Sequence, residues 1–145
     1  MIDRRALLGT WEIVATTLPF WRGKRRPRVA YAERADGRWS DVLTWLDARG
    51  RERTLAGIDR VDGARIAWRG TGWLGWIASE WDVVALADDR SWCATHFSRA
   101  SLGITPEGMD VYARDRARVD LEQVLEALRT RSDLPRLEGW YPTEA

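Results

Sequence analysis

Short stretches of alternating apolar and polar residues run through most of the chain, and turn signals interrupt them at regular intervals. Ala35-Asp36-Gly37, Ala48-Arg49-Gly50, Val61-Asp62-Gly63 and Asp88-Asp89-Arg90 each separate two extended-looking segments. Glycine or Asp-Gly at such spacing reads as consecutive hairpins of a β-sandwich or barrel. The pattern predicts eight strands, at roughly 9–17, 28–34, 38–47, 51–60, 64–70, 79–87, 91–98 and 108–114. In the first, Trp11, Ile13, Ala15 and Thr17 share one face and Glu12, Val14 and Thr16 the other, as the two-residue period of a strand requires. In the third, Trp39, Asp41, Leu43 and Trp45 lie opposite Ser40, Val42, Thr44 and Leu46. Neither of those faces is purely polar, so periodicity leaves open which one is inside.

The period changes near the end. Leu121, Val124, Leu125 and Leu128 form one apolar stripe of a helix, predicted at about 120–131. Asp120 suits the N-cap, with Gln123 at capping-box spacing, and Ser132 to Pro135 end the helix. A run of strands followed by one amphipathic helix places that helix on the outside of the sheet. The chain is read as one domain over 1–145, with a tail from 132 onward.

Composition changes this picture in one respect. Ten tryptophans stand among 145 residues, a payload that fills a core or lines a cavity. The formal net charge of +1 argues against a nucleic-acid partner, which would call for a basic face. Lys24 is the only lysine and Cys93 the only cysteine, so no internal disulfide forms. No apolar run reaches the length of a membrane span and no signal peptide is evident. Together these set the expectation of a cytoplasmic protein.

Particular residues then resemble a known family. LLGTWEIVAT carries a G-x-W motif as Gly9 and Trp11, and GMDVYARD ends with Arg114 directly before the helix. That combination resembles the lipocalins, and the order of loop, hairpins and helix is similar to the bacterial members. The resemblance implies an all-β, eight-stranded antiparallel up-and-down barrel with one C-terminal helix outside. Such a barrel has no free edges, and its interior holds about one small ligand. It also implies a structural clasp of Gly9, Trp11 and Arg114, the arginine lying across the indole that plugs one end. Two departures stand out: Asp88-Asp89-Arg90 replaces the family's usual Thr-Asp-Tyr element, and the last strand carries Asp110 and Tyr112 in place of a bulky apolar run.

Candidate chemistry is sparse. Gly70, Gly72 and Gly75 form G-x-G-x-x-G, but Trp76-Ile77-Ala78 leads into a strand rather than the helix a dinucleotide site needs. No cofactor is expected. Cys93 and His96 have an odd spacing on one strand and point to opposite faces, and no metal-ligand spacing exists. Asp41, Asp82 and Asp110 sit inside strands, and a carboxylate enclosed there would be a candidate acid or base. By the resemblance, Asp110 and Tyr112 face inward. Arg22, Lys24, Arg25, Arg26 and Arg28 crowd the first loop beside Trp21; in a lipocalin this loop crosses the mouth and would favour an anionic head group.

The sequence therefore suggests non-covalent binding of a small hydrophobic or amphipathic molecule, for transport or sequestration. Trp39, Trp45, Trp81, Trp92, His96, Asp110 and Tyr112 are the expected cavity lining. The rival is a small cyclase, isomerase or hydratase using Asp110, Tyr112 or His96 for proton transfer. A third reading is a packed barrel whose outer surface binds protein. Oligomeric state is left open.

Overall fold

A computed structural model describes residues 2–62, 65–98 and 107–145. Eight antiparallel strands wind up and down: β1 Gly9–Thr16, β2 Arg25–Glu33, β3 Trp39–Leu46, β4 Glu52–Asp62, β5 Arg65–Gly70, β6 Ala78–Leu86, β7 Trp92–Ser98 and β8 Gly108–Ala113. Each pairs with the next, and β1 pairs with both β2 and β8, so the sheet closes on itself. Helix α1, Leu121–Arg129, follows, and a two-residue strand β9, Tyr141–Pro142, adds to the outer part of β1. Gly63 of the third turn signal and residue 64 of the fifth expected strand lie outside the described residues.

The closed barrel with its external helix is the architecture expected from the sequence. Three details differ. Strand β2 begins at Arg25 rather than 28, because a bulge between Arg25 and Arg28 lets Arg26 take a φ of 49° and donate its N–H to Glu144 O. Strand β4 runs on to Asp62, and β9 has no apolar pattern that would announce it. The single-face reading of β1 fails at a second bulge, between Ile13 and Ala15. Trp11 and Ile13 face the interior, whereas Val14 and Ala15 pack outward against α1. A bulge adds one residue and so exchanges the faces beyond it; Thr16 thereby turns inward.

Two apolar cores result. One fills the barrel, with Leu7, Trp11, Ile13, Val29, Trp81 and Tyr112 among its buried members. The other lies between barrel wall and helix, where Val124 and Leu128 meet Met109, Val111 and Ala113. Asp120 caps α1 through Gln123 N–H, as its sequence position suggested.

One end of the barrel is sealed. Trp11 donates its indole N–H to Leu7 O at 2.7 Å, fixing the 3-10 turn Arg4–Leu7 beneath the strands. The Arg114 guanidinium lies 3.6 Å from the Trp11 ring centroid and donates to Ala6 O, Leu8 O and Thr10 O. Gly9 has a φ of +102°, and a Cβ there would stand 2.9 Å from Arg114 Nη1. No other residue fits that position without strain.

Candidate functional site

Above this seal the barrel encloses a cavity of about 470 Å³. Leu18, Pro19, Phe20 and Trp21 cover the mouth; Tyr31, Leu43, Leu55, Trp68, Ile77, Trp81, Phe97 and Tyr112 line the walls. The 3-10 turn Pro19–Trp21 carries the cover, and Tyr141 of β9 donates its hydroxyl to Leu18 O, tying the tail to it. Phe20, Trp21 and Trp45 meet edge to face, with centroids 4.8–6.0 Å apart. Deeper, Trp81 stacks between Tyr31 and Phe97.

Three carboxyl groups are built into this apolar interior. Asp110 is buried on β8, accepting from Thr16 Oγ1 at 2.5 Å and from Trp21 Nε1 at 3.4 Å. Asp41 on β3 and Asp59 on β4 are buried next to each other and hydrogen-bonded together. Asp59 Oδ1 also accepts from Trp81 Nε1 at 3.2 Å. Between the two acidic positions Tyr31 and Tyr112 meet hydroxyl to hydroxyl at 3.3 Å.

Among the described residues no Lys, Arg or His lines the cavity. Burial therefore acts on the carboxyls with nothing to oppose it but neutral donors, and the protonated forms are favoured. Burial raises Asp110 to about 7, although Thr16 and Trp21 pull the other way. It raises Asp59 to about 7 as well, and pushes Asp41 well up, with the neighbouring Asp59 charge adding to the effect. Desolvation lifts both tyrosines well above their usual range.

No family model matches the sequence, and no curated protein does. Solved structures do match the fold. Apocrustacyanin C1 superposes with a TM-score of 0.73 at 11% identity, over 98% of this chain and 79% of that one. Per a 4, a major allergen from cockroaches, gives 0.69 at 14% identity, over 99% and 88%. The siderocalin Ex-FABP, described as functioning through dual ligand specificities, gives 0.62 at 16% identity, over 97% and 95%. The fold is that of the lipocalins.

Within this barrel the residues singled out from sequence go to different places. Trp81, Asp110 and Tyr112 line the cavity. Trp39 is buried in the same core beside Tyr31, and Trp45 packs against the mouth cover, but neither reaches the cavity wall. Trp92 lies on the outer face with α1, because β7 turns Cys93 inward and Trp92 outward. His96 is outward too, with Nε2 2.9 Å from Glu107 Oε1, so it cannot serve the cavity. Asp82 is paired by two contacts of 2.9 Å to Arg4 and is likewise outside the site.

The mouth cations divide. Arg22 stacks over Tyr141 at 4.0 Å, and Lys24 donates to Phe20 O while lying over Phe20 and Trp45. Arg25, Arg26 and Arg28 belong to the exposed positions of β2 rather than to a loop. The glycine motif forms a 3-10 turn, Gly72–Leu74, that leaves Trp73 and Trp76 exposed at the rim; no helix opens there.

Sequence reasoning missed Asp59, Trp68, Ser79 and Tyr31. Asp59 shares parity with Leu55 and Gly57 along β4, which was a signal that it faces with them. Its partnership with Asp41 depends on the β3–β4 register, Trp39 with Asp59 and Asp41 with Gly57, and no local pattern encodes that.

Proposed function

We propose that this lipocalin-fold protein binds one small hydrophobic or amphipathic molecule non-covalently inside the barrel, for sequestration or transport. The observation that carries this reading is the aromatic-walled cavity of about 470 Å³, sealed at one end and covered at the other by a short turn. Pockets of about 300–1,000 Å³ with a few placed polar groups suit single small ligands. An anionic head would have to stay at the rim near Lys24 and Arg25, since among the described residues the walls offer it no cation. The order of loop, hairpins and helix supports a place near the bacterial lipocalins. A lone buried thiol, Cys93, suits the reducing cytoplasm we propose for it.

Native mass spectrometry of the protein purified from its own host is the direct test, expected to show one retained small molecule per chain. Apolar probes should quench tryptophan emission and saturate at one equivalent. A ligand-free mass together with no saturable quenching would remove the reading.

Acid–base catalysis on the same barrel is the second reading, and one observation favours it. Asp110, raised to about 7 beside Tyr112, is a carboxyl able to exchange a proton near neutrality at the cavity wall. The matching of pKa to working pH is what general catalysis requires. Recovery of a bound molecule chemically unchanged after prolonged incubation favours the carrier; its conversion favours the enzyme.

A further inference from the structure

Resting on the ligand-binding reading above, we propose that the deep wall of the cavity is a receptor for a protonated amine, held by Asp41 with the Asp59 carboxyl buried against it. The ligand would carry an apolar or aromatic body toward the mouth and its ammonium group toward the closed end.

Depth follows from the strand register. Asp41 pairs across to Tyr31, and Tyr31 to Gly9 at the start of β1, so the pair sits near the sealed end. Asp110 pairs with Thr16 at the other end of β1, under the Trp21 cover. The two acidic positions are thus at different heights of one cavity.

The deep wall carries polar groups without partners. Ser79 Oγ is buried without a hydrogen-bond partner and lines the cavity, as Asp41 does, whereas Asp59 is fully buried against Asp41 and is not itself in the lining. Leaving such groups unpaired is costly, so their retention in an apolar wall points to a ligand that satisfies them. A donor with several hydrogens and a positive charge meets both needs, since among the described residues no cation lines the cavity with the two adjacent acids. An ammonium group has three donors and no acceptor.

Trp68 refines the choice. Its Nε1–H is buried and unpaired, and its ring occupies the space left by Gly57, where a Cβ would lie 2.0 Å from Nε1. Gly57 is the cross-strand neighbour of Asp41. This unpaired donor would donate to an oxygen next to the amine, as in an amino alcohol or amino ketone. The raised affinity of the pair for protons is the same preference for positive charge, expressed toward the smallest cation.

The test compares 4-phenylbutylamine, 4-phenylbutanol and 4-phenylbutyrate by calorimetry at pH 8. The amine is expected to bind at least ten-fold tighter than the alcohol, and the acid more weakly than either. In Asp41→Asn/Asp59→Asn, which keeps the shape and removes the charge, the amine should fall to the affinity of the alcohol. Alcohol affinity within two-fold of the wild type shows that the variant cavity is intact. An amine no tighter than the alcohol in the wild type overturns the proposal without any variant, while leaving the ligand-binding reading in place. An amine preference that survives in the folded double variant also overturns it. Failure of all three probes to bind the wild type would sink this proposal and the functional reading together.

Discussion

The two ends of the barrel solve the same problem in opposite ways. At the sealed end a full positive charge is buried only in part, and the guanidinium of Arg114 has an aromatic face beneath it and three carbonyls around it. Within the cavity, carboxyl groups are buried more completely, among neutral donors only, and polar atoms such as Ser79 Oγ and Trp68 Nε1 are left over. The first arrangement is complete as it stands and serves stability. The second is complete only with a proton or a guest. Unsatisfied polarity within an otherwise saturated fold is what separates a binding site from a core.

The contrast is broken most severely by removing the indole that both plugs the barrel and carries the arginine. Trp11→Ala is expected to cost about 3–5 kcal/mol, the range for truncating a buried tryptophan, measured by denaturant unfolding. A loss under 1 kcal/mol would mean that the end is not held by this residue.

Next comes the pH dependence of the empty protein. Burial raises Asp59 and Asp110 in the folded state to about 7, well above the ordinary carboxylate range. The folded state therefore binds protons more tightly than the unfolded one. Their contribution to stability is fully present below about pH 4 and is lost as pH rises toward 7. Three pKa units correspond to at most about 4 kcal/mol per group. The melting temperature should fall between pH 5 and pH 8, and Asp110→Asn should flatten that fall. A stability that climbs across this interval would show the carboxyls to be compensated after all.

Arg114→Ala sharpens the other side. The cation–π contact contributes about 0.5–2 kcal/mol, and the freed carbonyls near the surface can turn to water. In a double-mutant cycle with Trp11→Ala the two losses should fall short of additive; strict additivity would deny the contact any energetic meaning.

The smallest effect is expected at the rim. Arg25→Glu with Arg26→Glu should weaken an anionic probe only a few-fold at low salt, and leave its neutral ester unchanged. Charges exposed at this distance are screened beyond about 8–10 Å. Equal losses for acid and ester would make these residues matters of shape alone.

These two ends also differ in how visible they were beforehand. Gly9 and Trp11 lie within one short motif, and Arg114 ends a strand just before a patterned helix, so neighbours in sequence already carried the clasp. Asp110 and Tyr112 were legible for the same reason, as alternate positions on one strand. The acidic pair was not, because Asp41 and Asp59 meet through cross-strand register, which is settled by closure of the whole sheet. The alternation of β3 did group Trp39, Asp41, Leu43 and Trp45 correctly, yet it could not choose the inner face. His96 and Trp92 misled as cavity candidates since β7 alternates as any strand does, and only its neighbours decide which parity is inside. Bulges in β1 and β2 shifted faces where the apolar pattern gave no notice.

The position of β1 has a consequence in time. This first strand is hydrogen-bonded to β2 a short way along the chain and to β8 almost a hundred residues further on, with Thr16 opposite Asp110. Its seam with β8 cannot form until nearly all of the barrel has been synthesised and arranged. Long-range pairings of this kind place a fold among those that form in milliseconds to seconds rather than microseconds. The nascent chain must therefore hold an apolar first strand with one unpaired edge for as long as the last strand takes to arrive. Protection of the segment 13–16, which pairs with β8, from hydrogen exchange should accordingly be among the last to appear during refolding.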